Sequence, residues 1–204
     1  MDSSAANGHD ARFRHQGYTI RTKLLRLFGG AYHIYDNRGG LVLYSDMKRF
    51  RLKEDIRLYS DESKTAELLR INTQSVLDFS GAYDVQDSVT GERVGTLKRG
   101  GLSSTFVRDS WTFLDARGRE IGTLEEDSAL KGLVRRYIEA LAIFLPQRYH
   151  ASIGGREVAR YSQRFNPLIL KLDVDFSPDS NGQLDRRLGI AAGVLLSAVE
   201  GRQQ

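Results

Sequence analysis

The stretch Leu184–Gly201, LDRRLGIAAGVLLSAVEG, decides the fold of this chain. From residue 188 to residue 199, only two glycines and one serine are not plainly apolar. A helix on a protein surface carries a polar stripe along its solvent side, and this stretch has none. The pattern therefore predicts a helix that is buried on all sides.

A membrane span is the first alternative for such a stretch, and its length argues against it. The uninterrupted apolar run covers about 18 Å at ~1.5 Å per residue, whereas the hydrocarbon core of a bilayer is about 30 Å thick. Arg186 and Arg187 before the run, and Glu200 and Arg202 after it, prevent its extension. The run suits the centre of a β-barrel, because the interior of a barrel must be filled by side chains.

Gly189, Gly193 and Ser197 recur every four residues and form a stripe of small side chains along this helix. In a membrane, such a stripe is typical of helices that dimerise. In a barrel, it lets one strand of the wall approach the helix closely. We favour the second interpretation, because the helix is too short to span a bilayer.

Hairpin patterns occupy most of the chain before this helix. Residues 83–97 and 111–124 have similar sequences, and each predicts a strand, a turn and a second strand. Residues 32–43 and 149–158 show the same pattern. The turns contain aspartate, which bonds to its own backbone, or glycine, which accepts a positive φ. The chain is therefore predicted to be mainly β, with hairpins that follow one another in a meander.

One segment interrupts the strands. Apolar residues at three- and four-residue steps predict a second, amphipathic helix over residues 128–145, which Pro146 ends. Residues 1–16 are small and polar and are predicted to be a flexible N-terminal segment. Residues 17–204 are predicted to form a single barrel domain.

The composition is that of an ordinary globular protein, with 204 residues, 40% hydrophobic and 27% charged. Cysteine is absent, and the N-terminus has no apolar core of the kind that a signal peptide needs, so we expect a cytoplasmic protein. The net charge is +4, and the basic residues are interspersed with acidic ones. We expect a monomer and no nucleic-acid partner.

The chain resembles the LURP-one-related proteins, which belong with the tubby-like proteins and the phospholipid scramblases in one superfamily. The residues that carry the resemblance span nearly the whole chain: Tyr32–Asp36, Phe50–Leu52, Tyr83–Val85, Gly91–Gly95, Gly118–Gly122 and Leu184–Arg187 with the apolar run that follows. The resemblance implies a closed antiparallel β-barrel of about twelve strands that encloses the C-terminal helix. It also implies a tie to membrane lipids, because tubby-like members bind phosphoinositides.

The preferred functional hypothesis is a non-enzymatic binding or scaffold module for anionic phospholipid headgroups at a membrane surface. Five basic residues are the candidates for lipid binding: Lys48, Arg49, Arg51, Lys98 and Arg99. One alternative is a small enzyme with a site at the barrel mouth, although no catalytic or phosphate-cradling motif occurs. The other alternative is a domain that acts only through protein partners.

An acidic segment before the helix resembles that of the scramblases and is a candidate calcium site, since hard oxygen ligands in a loop suit that ion. Its candidate ligands are Asp173, Asp175, Asp179, Asn181 and Asp185. The spacing departs from that of an EF-hand, which requires a glutamate where Leu188 stands. We therefore favour the interpretation that these side chains flank strand residues and cap turns, and we expect no cofactor.

Overall fold

The computed structural model describes residues 10–23, 30–47, 56–73, 81–100, 110–127, 147–164 and 169–200. Twelve strands lie in these ranges: β1 Gly17–Lys23, β2 Gly30–Asp36, β3 Leu41–Met47, β4 Ile56–Tyr59, β5 Glu67–Thr73, β6 Ala82–Asp87, β7 Arg93–Arg99, β8 Ser110–Asp115, β9 Glu120–Glu126, β10 Arg148–Ile153, β11 Arg156–Arg164 and β12 Ile169–Asp175. A short 3-10 helix, Ala11–Phe13, precedes them, and one α-helix, α1, Arg186–Glu200, follows them.

The strands form a closed antiparallel barrel. Each strand pairs with the next along the chain, and β1 closes the cylinder against β12 over seven residue pairs, from Gly17 opposite Asp175 to Lys23 opposite Ile169. Closure leaves no edge strand with unpaired backbone groups. The predicted closed barrel of about twelve strands is confirmed.

Five short turns lie at one end of the barrel, which we call the turn end. They join β2 to β3, β4 to β5, β6 to β7, β8 to β9 and β10 to β11. In several of them an aspartate accepts hydrogen bonds from the backbone of the turn. Asp36 accepts from the backbone N–H of Arg38 and Gly40, and Asp115 does the same for Arg117 and Arg119. These backbone donors hold the pKa of both carboxyls below its usual value. The predicted turn role of aspartate is confirmed.

Helix α1 fills the barrel. Every residue from Arg187 to Ala198 is buried, and the inward side chains of the strands surround them. The hydroxyl of the buried Tyr161 on β11 donates a hydrogen bond to the carbonyl of Gly189 at 3.0 Å. The prediction that the C-terminal helix is the core of the barrel is confirmed.

The stripe of small residues faces the wall near β1 and β12. A Cβ atom added to Gly189 would lie 2.5 Å from the ring of Phe176, and one added to Gly193 would lie 2.7 Å from Ile20. Ser197 turns its hydroxyl back to the carbonyl of Gly193 at 2.9 Å. The stripe therefore allows close approach of the wall, but through side chains of β1 and of the residue after β12 rather than through the one strand that was predicted.

A buried arginine ties the start of α1 to the barrel wall. Arg187 is 2% exposed and donates to both carboxylate oxygens of Asp185 and to Asp87, at 2.8 Å, on the β6–β7 hairpin. Asp185 also caps the helix by accepting from the Arg187 backbone N–H. Burial works to lower the pKa of Arg187, but Asp185, Asp87 and Glu92 outweigh it and raise the pKa above its usual value.

Two predicted segments extend beyond the described residues. The amphipathic helix over residues 128–145 lies entirely outside them, as do residues 1–9 of the predicted flexible segment. Residues 10–16 are described and contain the 3-10 helix, whose Phe13 is buried in the core cluster. Tyr18 holds this segment by donating its hydroxyl hydrogen to the carbonyl of Arg12 at 3.0 Å.

Deletion of the chain from Gly189 onward is expected to prevent folding. It removes four large buried aliphatic side chains, Ile190, Val194, Leu195 and Leu196, at about 1.5–3 kcal/mol each. This loss is comparable with the ~5–15 kcal/mol net stability of a whole domain. A truncated chain that stays in solution and melts cooperatively in a calorimeter would contradict the role of α1 as the core.

The substitution Asp87→Asn is expected to destabilise the protein by about 3 kcal/mol, because it leaves the buried Arg187 without one of its carboxylate partners. Urea unfolding followed by circular dichroism measures the loss. Asp84→Asn is the control, since Asp84 lies on the same strand but pairs with the half-exposed Arg93. An equal, small loss for both variants would show that the buried pair does not anchor the helix.

Candidate functional site

A row of polar and aromatic side chains crosses the outer wall of the barrel on five adjacent strands. We call it the exterior row, and it consists of Arg164 on β11, Lys171 on β12, Arg21 on β1, His33 on β2 and Tyr44 on β3. Each member lies directly opposite the next in the register of the sheet. Neighbouring strands are about 4.8 Å apart, so the members are close neighbours on one face.

The pleat of the strands turns this row outward. On β1, Ile20 and Thr22 are buried on either side of Arg21, and on β12, Leu170 and Leu172 are buried on either side of Lys171. Successive side chains of a strand point to opposite faces of the sheet. The apolar neighbours therefore fill the barrel, and the row faces away from it.

Arg21 and Lys171 form a like-charged pair across two strands. Neither makes an ion pair anywhere in the part of the chain that the structure describes. Other arginines on the strands do pair with carboxylates: Arg57 and Arg70 with Glu67, Arg93 with Asp84, Arg160 with Glu157, and Arg164 with Asp173. Like charges directly opposite each other destabilise a sheet, so this pair is not explained by folding.

The guanidinium of Arg21 is held in place by an aromatic ring. Its Cζ atom lies 4.4 Å from the centroid of the Tyr35 ring, in a cation–π contact. The Nε atom of Arg21 is buried and has no hydrogen-bond partner. A charged donor that is left unsatisfied costs free energy, and this cost is removed when an acceptor binds.

His33 extends the row on the far side of Arg21. Its ring lies 5.2 Å from the ring of Tyr44 and 6.3 Å from that of Tyr35, measured between centroids. Its Nε2 atom lies 2.9 Å from a carboxylate oxygen of Glu62, which belongs to the β4–β5 turn. The row therefore combines three cations, one imidazole and one tyrosine, and the ring of Tyr35 lies beside it against Arg21 and His33.

The structure separates the residues predicted to bind lipid. Lys98 is exposed on the outside of β7, whereas Arg99 points to the opposite face, where its guanidinium lies 6.0 Å from the Trp111 ring. Adjacent residues of one strand cannot share a face. The other three candidates, Lys48, Arg49 and Arg51, lie outside the described residues.

Sequence reasoning missed the exterior row because its members are far apart in the chain. Arg21 precedes Thr22 in an alternating strand, and Lys171 stands between two leucines, as an outward residue of any strand would. No local signal marks them as a pair. Only the register of β1 against β12 brings them together.

The residues predicted to bind calcium are engaged by protein donors. Asp173 accepts from Thr19 and Arg164 on the outer wall. Asp175 accepts from the backbone N–H and the hydroxyl of Ser177 in the loop that follows β12.

The other candidates for calcium lie around the start of α1. Asp179 accepts from the backbone N–H groups of Gln183 and Leu184 and pairs with Arg186 at 2.7 Å. Asp185 caps the helix, and Asn181 is exposed. Within the described ranges, no group of three or more histidine or acidic side chains is arranged to hold a metal ion.

Comparison with known proteins does not assign the chain to a family. No protein-family model matches the chain, and no curated protein matches it. Among solved structures, the chain is similar to an X-ray structure of a protein from Arabidopsis thaliana, with 14% sequence identity and a TM-score of 0.49. The match covers 93% of this chain and 96% of that one. Within the described residues, no helix has the length and apolar content that a membrane crossing requires.

Millimolar calcium is expected to leave the melting temperature unchanged, because a calcium ion would have to displace Arg186 and Arg187 from Asp179 and Asp185. Differential scanning fluorimetry with calcium, with magnesium as the control for ionic strength, measures the effect. An upward shift with calcium alone would support the predicted calcium site.

Proposed function

We propose that this protein is a non-enzymatic binding module that takes anionic phospholipid headgroups at a membrane surface through its exterior row. The observation that carries the proposal is the pair of Arg21 and Lys171, which lie opposite each other and make no ion pair with any described residue. A bound anion between them would relieve their mutual repulsion and would satisfy the buried Nε atom of Arg21.

The chemistry of the pair suits a phosphate group. Arginine presents a planar fork of donors that matches phosphate oxygens, and the stack on Tyr35 reduces the freedom that this fork loses on binding. Lysine adds a second positive charge from the neighbouring strand. Each basic residue near an anionic membrane contributes about 1 kcal/mol to its affinity.

The position of the row suits a membrane rather than a small substrate. Its side chains stand on the outer wall of a closed barrel, where an extended surface can reach them. A substrate site of an enzyme is normally a concave pocket with converging polar groups. The inner face of the wall at this level is filled by apolar side chains such as Ile20, Ile34 and Leu172.

The proposed membership in the LURP-one-related, tubby-like and scramblase superfamily agrees with this function. The resemblance implied a barrel threaded by the terminal helix, and the chain has that architecture. The lipid-binding part of the proposal rests on the exterior row and on this resemblance together.

The double variant Arg21→Gln, Lys171→Gln is expected to lose about 2 kcal/mol of membrane affinity, or roughly 30-fold, because it removes two charges of the row. Flotation with phosphatidylcholine vesicles that contain either phosphatidylserine or a phosphoinositide measures the affinity. Binding of the wild-type protein is expected to weaken as salt is added.

The matched control is Arg117→Gln, Arg156→Gln, which removes two exposed charges from the turn end. A separate variant, Lys98→Gln, tests the residue that sequence reasoning favoured. Equal flotation of the row variant and the turn-end control would contradict the proposed site. Failure of the wild-type protein to bind anionic vesicles at low salt would contradict the function itself.

A further inference from the structure

We propose that His33 is the third donor of the anion site, and that Glu62 occupies it as an internal competitor when no ligand is bound. The inference rests on the proposed function and adds to it a binding residue and a means of regulation. His33 lies directly opposite Arg21 on β2, just as Lys171 does on β12. Arg21 is thus the centre of a three-strand site. Of its two flanking donors, Lys171 pairs with no carboxylate of the described residues, and His33 is bound to Glu62.

The contact between His33 and Glu62 defines the hydrogen that His33 offers. A carboxylate only accepts hydrogen bonds, so the Nε2 atom, 2.9 Å from Glu62, carries the hydrogen. A phosphate oxygen is an acceptor of the same kind. It can therefore replace the carboxylate oxygen at Nε2.

The turn that carries Glu62 is held firmly in position. The carboxylate of Asp61 accepts from the hydroxyls of Ser60, Ser63 and Thr65, and the backbone N–H of Ser60 donates to the carbonyl of Ala66 at 2.9 Å. The backbone of Glu62 is therefore held in a fixed position beside the row. Its carboxylate can leave His33 by rotation of the side chain, and the hairpin need not open.

A strained residue also favours a specific role for this turn. Lys64 has a φ of 60°, and no other residue except glycine has a positive φ in the described ranges. Non-glycine residues rarely adopt this conformation, and such strain occurs often at functional sites. The conformation places the Lys64 ammonium 5.9 Å from the ring of Tyr59, which lies opposite Tyr44 at the end of the row.

The strength of the contact suits a competitor. The side chains of His33 and Glu62 are 27% and 64% exposed, and ion pairs at such exposure contribute about 0–1 kcal/mol. A phosphate that is already held by Arg21 and Lys171 can therefore displace Glu62 at little cost. After displacement from His33, the Glu62 carboxylate remains close to the row. Its negative charge weakens the attraction of the row for further anions.

The test compares Glu62→Gln with Glu120→Gln. Both substitutions remove one negative charge, but Glu120 is exposed at the start of β9 and lies outside the exterior row. Phosphatidylcholine vesicles with a phosphoinositide are the probe, and melting temperatures check that both variants are folded. We expect Glu62→Gln to bind about 2- to 5-fold more tightly than Glu120→Gln, which corresponds to the upper range for an exposed ion pair.

The double variant His33→Phe, Glu62→Gln shows whether the gain in vesicle affinity depends on His33. Phenylalanine keeps the ring contacts with Tyr35 and Tyr44 but has no donor, so the gain from Glu62→Gln is expected to disappear. A gain that persists without His33 would overturn the proposal, since it would reflect net charge alone. Equal affinity of Glu62→Gln and Glu120→Gln would also overturn it.

The same variants titrated with inorganic phosphate distinguish a lipid headgroup from a free anion as the ligand. A Glu62-dependent gain on vesicles alone, or on both probes, supports the competitor and identifies the source of the phosphate. The proposed function is judged separately, by the loss of vesicle binding in Arg21→Gln, Lys171→Gln. The proposal about His33 and Glu62 can therefore fail while the proposed function stands.

Discussion

The structure depends on the filling of a closed barrel by a single helix. Closure gives every strand a hydrogen-bonded neighbour on both sides. It also creates an interior that the side chains of the wall alone cannot fill. Helix α1 fills it, and two glycines allow the wall to pack against its backbone. Arg187 sets the position of the helix along the barrel, because its buried guanidinium must meet Asp87 on the β6–β7 hairpin. One end of the chain thus completes a core that all the strands share.

Because the helix and the inward side chains form the core, the outward side chains of the wall are available for function. The inward residues of each strand are committed to packing against α1, and the alternate residues face outward without that constraint. On most of the described wall, outward arginines are neutralised by neighbouring carboxylates. Among the described residues, Arg21 and Lys171 have no such carboxylate partner, and Glu62 beside the row is bound to His33. A surface that maintains unpaired cations beside a stacking aromatic ring is suited to an external anion.

The role of each outward side chain therefore depends on the residues that strand pairing places beside it. Asp173 illustrates this: it belongs to the acidic segment that suggested calcium, yet on the wall it pairs with Arg164 and Thr19. Lys98 and Arg99 show the converse: they are adjacent in the sequence, but strand geometry places them on opposite faces of β7. In a β protein, proximity in sequence is a poor guide to a shared surface.

The sequence by itself determined the hairpin meander, the turns built on Asp36 and Asp115, and the buried C-terminal helix. These features follow from local rules: alternation, turn chemistry and an apolar run too short for a bilayer. Only the tertiary structure decided which side chains from distant parts of the sequence meet. Arg21 faces Lys171 across the seam between the first and last strands, and Arg187 meets Asp87, one hundred residues away. Such contacts depend on the register of strand pairs from distant parts of the chain, which packing around α1 selects and no local pattern encodes.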